Sequence, residues 1–214
     1  PVLADSSPAI SQYAHGLTVD DFTEIARFLS QQASRHGRAL DAPLVIQVAR
    51  PLTTVPPAIP FESSGLGVAW WSLKMRWWSF RHTGQPGLAP DDVRMFVLYQ
   101  RARDRKFLER SVGIKNGSYG IVNAVGSRQK AAHNRIVITH ELMHILGASD
   151  KYDLRTGQPV APQGLANPAQ SPLYPQRQAE IMAGRIALSD SHWRMAPGLK
   201  SCVIGELTAA EIGW

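Results

Sequence analysis

The sequence predicts one domain of the α+β (mixed α/β) class, with a twisted sheet and helices packed behind it. Three observations favour this fold: segments with helical spacing alternate with short β-prone runs, the chain has 214 residues, and 44% of them are hydrophobic while 19% are charged. A chain of this length and composition can bury one sizeable core. We expect residues 1–150 to hold the sheet and a site-bearing helix, and residues 151–214 to form a smaller subdomain.

The first predicted elements are a helix and a strand. Residues 1–16 are typical of an extended lead-in. Thr18 and Asp21 then have the spacing of a capping box, and apolar residues follow at helical spacing, which predicts a helix over residues 18–36. Residues 43–49 are β-prone and end in a proline-rich loop, so they predict the first strand.

Further elements are predicted in the central part of the chain. The tryptophan-rich segment 67–81 has apolar spacings that favour a helix packed on the sheet and apolar around much of its circumference. Residues 93–99 and 119–125 predict two buried strands. Asn134 is expected to cap a helix that ends at Gly147, where a left-handed residue commonly stops a helix.

The last part of the chain predicts less regular structure. Residues 155–178 contain five prolines and few aliphatic residues, which indicates a long ordered loop. A closing helix is expected near residues 207–212. The single cysteine, Cys202, excludes an internal disulfide and a cysteine-rich metal site, and we expect it to be a small buried residue.

The motif that carries chemistry is His140-Glu141-Leu142-Met143-His144. On an α-helix, residues four apart share one face, so His140 and His144 can present imidazole nitrogens to a single ion. Glu141 lies about 100° around the helix and can face a water molecule instead of the metal. Because a catalytic zinc keeps an exchangeable water beside its protein ligands, the motif predicts a zinc site with Glu141 as general base.

A third ligand is expected after this helix. Gly147 permits a sharp turn that would bring Asp150 back towards the metal, so Asp150 is the first candidate. Glu180 would instead complete a site of two histidines and one glutamate, and it is the second candidate. His192 is a more distant alternative.

The extended pattern HExxHxxGxxD, from His140 to Asp150, resembles the metzincin clan of zinc peptidases. Within that clan it is most similar to the aspartate-ligand branch, which comprises snapalysin and the immune inhibitor A type peptidases. The resemblance covers residues 140–184 and implies a metzincin-like fold with a bound Zn²⁺. It also implies a methionine-containing turn beneath the metal, for which the chain offers Met182 in Ile181-Met182-Ala183-Gly184.

These features lead to the hypothesis of a zinc-dependent endopeptidase that hydrolyses peptide bonds through a zinc-bound water activated by Glu141. Tyr152 is a candidate donor to the developing oxyanion, or it packs only by its ring. An edge strand near residues 119–125 is expected to align an extended peptide or protein substrate by β-augmentation. The chain begins at Pro1, so we expect a processed product or a trimmed piece from which an upstream signal or membrane anchor is missing. This leaves the compartment open, with an extracytoplasmic location favoured over a cytoplasmic one.

Two alternatives stay open. In the first, the chain is a zinc-containing binding module without catalytic activity. In the second, the net charge of +6 and four tryptophans among basic residues indicate a protein that binds nucleic acid or an anionic membrane surface. Because the basic residues are scattered along the chain, no nucleic acid partner is expected. The sequence leaves the oligomeric state open.

Overall fold

A computed structural model describes residues 1–5, 7–38, 44–58, 65–83, 92–101, 112–113 and 119–214 of the chain. Within these ranges the helices are α1 (Pro8–His15), α2 (Thr23–Arg35), α3 (Gly65–Thr83), α4 (Ala131–Leu146) and α5 (Glu206–Glu211). The strands are β1 (Val2–Leu3), β2 (Arg94–Gln100), β3 (Val112–Gly113), β4 (Tyr119–Val125), β5 (Ala179–Glu180), β6 (Arg185–Ala187), β7 (Trp193–Met195) and β8 (Cys202–Val203). The fold therefore combines helices and strands, as predicted.

The main sheet has the strand order β1-β2-β4-β3. Strands β1, β2 and β4 are parallel, and β3 pairs antiparallel with β4. The longest pairing joins β2 to β4, from Arg94 opposite Tyr119 to Gln100 opposite Val125. Two small sheets follow in the C-terminal part, the parallel pair β5–β8 and the antiparallel hairpin β6–β7.

Strand β2 contributes to a core on each face of the sheet, because successive side chains of a strand point to opposite faces. On one face, Phe96 and Leu98 pack with Trp71, Met75 and Trp78 of α3. On the other face, the alternate residues of β2 pack in a larger core with α1, α2 and α4. This larger core continues into the C-terminal part of the chain, so the two parts share buried residues.

Helix α4 carries the histidine motif and is held at both ends. It begins at Ala131 after a 3-10 turn over Arg128–Lys130, so the prediction that Asn134 caps it is wrong. Asn134 lies inside the helix, where its buried amide accepts the Val125 N–H at 3.2 Å and donates to the Val125 carbonyl at 2.8 Å. At the other end, the prediction for Gly147 is confirmed, since its φ is 115°.

The N-terminal region differs from the prediction. Residues 1–16 are not simply extended, because they form β1, which pairs with β2, and then helix α1. Residues 44–49 contain no strand, and Val45 is 72% exposed; Pro43 lies outside the described residues. A β-prone run is stable as a strand only when it pairs with a neighbour and one face is covered. The position beside β2 is occupied by β1, so residues 44–49 do not pair there.

The prediction that residues 119–125 form a free edge strand is also wrong. Strand β4 lies between β2 and β3, with Gly120 and Ile121 opposite Gly113 and Val112. Among the strands that the structure describes, the outer one on this side is β3, which packs beside α4. An extended peptide that adds to the sheet here would therefore pair with β3.

The other predicted elements are confirmed. Thr18 and Asp21 form the capping box, which leads through a 3-10 turn into α2. Helix α3 contains the segment 67–81, β2 and β4 cover the two predicted strands, and α5 is the closing helix. Residues 155–178 contain no helix and only isolated bridges. Among the described residues, no helix is long and apolar enough to span a bilayer.

Candidate metal centre

Three segments of the chain meet at the C-terminal end of α4. The helix carries the motif at residues 140–144, the loop after Gly147 carries Asp150, and a buried turn over residues 181–184 contacts both. Because the φ of 115° at Gly147 is left-handed, the chain leaves the helix abruptly there and turns back past its last turn. This reversal brings the carboxylate of Asp150 towards the histidines.

The Asp150 carboxylate contacts both histidines of the motif. Its Oδ1 atom lies 3.1 Å from His140 Nε2 and 3.2 Å from His144 Nε2. The two imidazole rings approach edge to face, with their centroids 4.7 Å apart. The side chains of His140, His144 and Asp150 are 13%, 18% and 35% exposed, so the cluster is partly buried and still reachable from solvent.

The other nitrogen of each imidazole fixes the orientation of its ring. His140 Nδ1 lies 3.1 Å from the Ile181 carbonyl oxygen, and His144 Nδ1 lies 2.9 Å from the Ala148 carbonyl oxygen. A carbonyl oxygen can only accept, so both Nδ1 atoms carry a proton, and each Nε2 atom faces Asp150 either with a second proton that it donates or with a lone pair. Three acceptor atoms that face one another need protons or a cation between them. The donor set therefore fits a metal ion.

The two separations from Asp150 match those between ligands of a tetrahedral metal ion. At zinc–ligand distances of about 2.0–2.2 Å, two ligands of a tetrahedral site are separated by roughly 3.3 Å. The separations from Asp150 Oδ1 to the two Nε2 atoms are 3.1 and 3.2 Å. Two imidazoles and a carboxylate would also leave a fourth position open, as catalytic zinc sites require.

The electrostatics of the cluster are those of an anion between two imidazoles. Burial opposes the charged form of Asp150, but hydrogen bonds and charges from His140 and His144 hold its pKa far below its usual range. Burial likewise opposes protonation of His144, but the contacts with Asp150 outweigh it and raise the pKa of His144. A divalent ion would compete with protons for the same lone pairs, so its binding should release protons.

Glu141 and Tyr152 lie close to this cluster. Glu141 is 5% exposed, and a carboxylate oxygen lies within 4.8 Å of ligand atoms of both histidines. The Tyr152 ring centroid lies 6.2 Å from that of His140. Burial and the charge of Asp150 raise the pKa of Tyr152, so its hydroxyl keeps its proton and can donate it. Both side chains therefore lie beside the candidate ligands.

The turn over residues 181–184 supports the cluster through its backbone. The Ile181 carbonyl accepts a hydrogen bond from His140 Nδ1, and the Met182 carbonyl accepts one from the Lys151 N–H at 3.1 Å. Met182 is itself fully buried. The methionine-containing turn thus contacts the first histidine and the Asp150 loop together.

Glu180, the alternative third ligand, has a different set of partners. It is fully buried, and burial raises its pKa despite the donors around it. Its carboxylate oxygens accept four hydrogen bonds, from the Met182 N–H at 2.5 Å, the Ala183 N–H at 3.2 Å, the Thr208 hydroxyl at 2.7 Å and the Gly205 N–H at 3.3 Å. Glu180 therefore shapes the turn, while Asp150 is the carboxylate that reaches the histidines. The His192 side chain contacts only serines of its own turn among the interactions described.

A carboxylate on α5 holds the Asp150 loop, and no sequence pattern indicates it. Glu211 accepts the Ser149 N–H at 3.0 Å, the Ser149 hydroxyl at 2.7 Å and the Lys151 ammonium at 2.7 Å. The same ammonium donates to the Ser149 carbonyl at 3.0 Å and to its hydroxyl at 2.7 Å. We call these three residues the Glu211 clamp. It fixes both chain neighbours of Asp150.

Arg185 also contacts the candidate site, and no pattern in the sequence indicates this contact. Its guanidinium lies 4.4 Å from the Tyr152 ring centroid and 4.9 Å from the Trp193 ring centroid. It also donates to the Ala183 carbonyl at 3.0 Å. Stacking on two aromatic faces holds the guanidinium in place and joins the Tyr152 loop to the β6–β7 hairpin.

Comparisons of the chain with protein-family models, with curated proteins and with solved structures find no match.

Proposed function

We propose that the chain is a zinc-dependent endopeptidase of the metzincin type, with His140, His144 and Asp150 as ligands and Glu141 as general base. The observation that carries this proposal is the convergence of Asp150 Oδ1 on the two Nε2 atoms, at 3.1 and 3.2 Å. A helix that contained HExxH by chance would not by itself bring a carboxylate from beyond its end against both histidines.

Zinc at such a site would supply a Lewis acid. It would lower the pKa of water, so that the water can lose a proton and attack a carbonyl at about pH 7. Glu141 would accept a proton from the attacking water and deliver it to the nitrogen of the leaving amine, since one carboxylate can serve as base and then as acid. The Tyr152 hydroxyl would donate to the developing oxyanion. The partial burial of the site would limit competition from bulk water.

The substrate that suits this arrangement is an extended segment of a peptide or protein. Strand β3 (Val112–Gly113) is the outer strand of the main sheet on the side where α4 packs. A peptide paired with this strand would be held by backbone hydrogen bonds near the candidate ligands, which is the mode of β-augmentation. Side-chain preference would then depend on the loops around the candidate metal centre.

The test combines metal analysis with cleavage assays on the purified chain. We expect stoichiometric zinc and cleavage within a broad library of internally quenched peptides. Glu141→Gln should keep its zinc and lose at least about 10²-fold in kcat/KM, whereas His144→Ala should lose both zinc and activity. Glu206→Gln is the matched control, because the Glu206 side chain is 94% exposed and should affect neither.

Two results would count against this function. Turnover by Glu141→Gln at the parent rate would exclude Glu141 as the general base. Stoichiometric zinc without cleavage of any peptide in the library would favour the alternative of a zinc-containing binding module.

A further inference from the structure

Helix α3 has one face that the protein core does not use. Its inner face packs on the sheet, where Trp71, Met75 and Trp78 are 5%, 0% and 6% exposed. Its outer face is also apolar, but four large side chains there are open to solvent: Trp70, Leu73, Trp77 and Phe80 are 61%, 59%, 64% and 60% exposed. The aromatic character of this helix therefore exceeds what packing on the sheet requires.

The four exposed side chains form one continuous strip, which we call the outer stripe. At about 100° per residue they fall within a sector of roughly 80°, and they extend over about 15 Å of the helix axis. An aromatic side chain offers about 150–250 Å², so the outer stripe exposes an area on the order of several hundred Å². Exposed apolar patches of this size mark interaction surfaces in soluble proteins.

Cationic side chains lie on both sides of the outer stripe. On one side, Lys74 Nζ lies 5.5 Å from the Trp70 ring centroid and the Arg81 guanidinium lies 5.9 Å from the Trp77 ring centroid. On the other side, helical geometry places Arg76, which is also exposed. The helix sequence contains no acidic residue. A complementary partner would therefore be apolar and carry negative charge beside its apolar part.

We propose that the outer stripe docks on the interface of an anionic phospholipid membrane, with the axis of α3 parallel to the membrane plane. Tryptophan favours this interface because its ring is apolar and its N–H is polar. The stems of Lys74, Arg76 and Arg81 can pack along the apolar surface while their charges reach lipid phosphates. Leu73 and Phe80 make the surface continuous and apolar, which suits acyl chains better than separated nucleic acid bases.

This docking surface is separate from the candidate metal centre. Helix α3 packs on one face of the main sheet, and α4, which carries the histidine motif, packs on the other face. A membrane bound by the outer stripe would leave the candidate metal centre free to accept a substrate. The proposal does not depend on peptidase activity.

The test is flotation of the purified chain with vesicles of phosphatidylcholine alone and with an equimolar mixture of phosphatidylcholine and phosphatidylglycerol. We expect binding to the anionic vesicles that weakens as salt is added. A double variant, Trp70→Ser with Trp77→Ser, should lower the partition coefficient at least about tenfold, and so should a triple variant, Lys74→Gln, Arg76→Gln and Arg81→Gln. All variants should unfold at the parent temperature, because the changed side chains are exposed.

Matched variants test whether the effect is specific to this surface. Val45→Ser removes another exposed apolar side chain, and a triple variant of the exposed residues Arg35, Arg177 and Lys200 to Gln removes the same charge elsewhere. Both should bind anionic vesicles as the parent does. His144→Ala should also bind normally, since a failed zinc site would leave the outer stripe intact.

Three results would overturn the proposal. The first is no flotation with anionic vesicles, or equal flotation of the parent and the outer stripe variants. The second is binding of a single-stranded DNA or RNA oligonucleotide without vesicle binding, which would assign the stripe to nucleic acid. The third is self-association that the tryptophan variant abolishes without any vesicle binding, which would assign the stripe to a second copy of the chain.

Discussion

The Lys151 ammonium donates a hydrogen bond to the Glu211 carboxylate at 2.7 Å, and this contact joins the last helix to the loop that carries Asp150. The Lys151 side chain is 4% exposed, so its charge is stabilised by Glu211 and Ser149 and not by water. Because Glu211 also binds Ser149, one carboxylate holds the residues on both sides of a candidate metal ligand.

Removal of the clamp should affect both stability and metal binding. Glu211→Ala should lower the free energy of unfolding by about 2 kcal/mol, because it leaves a buried ammonium without its anionic partner. It should also lower the zinc affinity about 10–100-fold, because the Asp150 loop loses its support. Urea unfolding and competitive zinc titration measure the two effects, with Glu206→Ala on the same helix as the control. Parent affinity for zinc in Glu211→Ala would mean that the clamp does not position Asp150.

The two candidate carboxylates can be separated by substitution with amides. Glu180→Gln should lower the free energy of unfolding by about 1–3 kcal/mol, because a buried acceptor surrounded by donors becomes partly a donor. The folded variant should still bind zinc stoichiometrically. Asp150→Asn should instead weaken zinc binding by more than about a hundredfold while changing stability less. Zinc titration at a temperature where both variants are folded decides the matter, and the opposite pattern would assign the ligand to Glu180.

The contact between Asn134 and Val125 should be important for stability. Asn134→Leu removes both hydrogen bonds with the Val125 backbone; the Val125 carbonyl keeps the Ser127 N–H at 2.8 Å, whereas the Val125 N–H loses its side-chain acceptor. We expect a loss of about 2–3 kcal/mol in the free energy of unfolding, measured by urea denaturation. A loss below about 0.5 kcal/mol would show that the Val125 N–H finds another acceptor.

The role of Tyr152 can be tested by removing its hydroxyl alone. Tyr152→Phe keeps the ring that stacks on Arg185 at 4.4 Å, so the loop should keep its structure. If the hydroxyl donates to the oxyanion, kcat should fall about a hundredfold with little change in KM or zinc affinity. Steady-state kinetics on one cleaved peptide would measure this split. An unchanged kcat would leave Tyr152 with a packing role.

Helix α4 shows which of its ends the local sequence can predict and which it cannot. Its end at Gly147 could be predicted, because a left-handed glycine after an apolar helical run is a local signal. Its start could not, because Asn134 binds Val125 of the preceding strand instead of N–H groups at the start of its own helix. Which of these partners an asparagine chooses depends on tertiary packing and is not encoded in spacing.

The strands at the N-terminus show the same limit. Residues 43–49 have the composition of a strand, yet residues 44–49 form none, whereas the two residues Val2–Leu3 do. Pairing with β2 decides which segment becomes a strand, and a two-residue strand has no periodicity to detect. The same reason explains why the sequence does not predict β3 and why it favours an edge position for residues 119–125.

In the candidate site, too, local spacing predicts some residues, and others depend on contacts between distant parts of the chain. His140, Glu141 and His144 follow from helical periodicity, and Asp150 follows from the turn at Gly147. Contacts between residues far apart in the chain leave no comparable spacing, so the Glu211 clamp and the stacking of Arg185 on Tyr152 and Trp193 could not be inferred. The sequence thus predicts the donor atoms better than the residues that hold them in place.

The central claim is that His140, His144 and Asp150 hold zinc together. Diffraction data from zinc-loaded crystals, collected on both sides of the zinc absorption edge, would locate the metal directly. We expect one anomalous peak at about 2.0–2.2 Å from His140 Nε2, His144 Nε2 and Asp150 Oδ1. A peak bonded to Glu180, or no peak next to these three atoms, would contradict the claim.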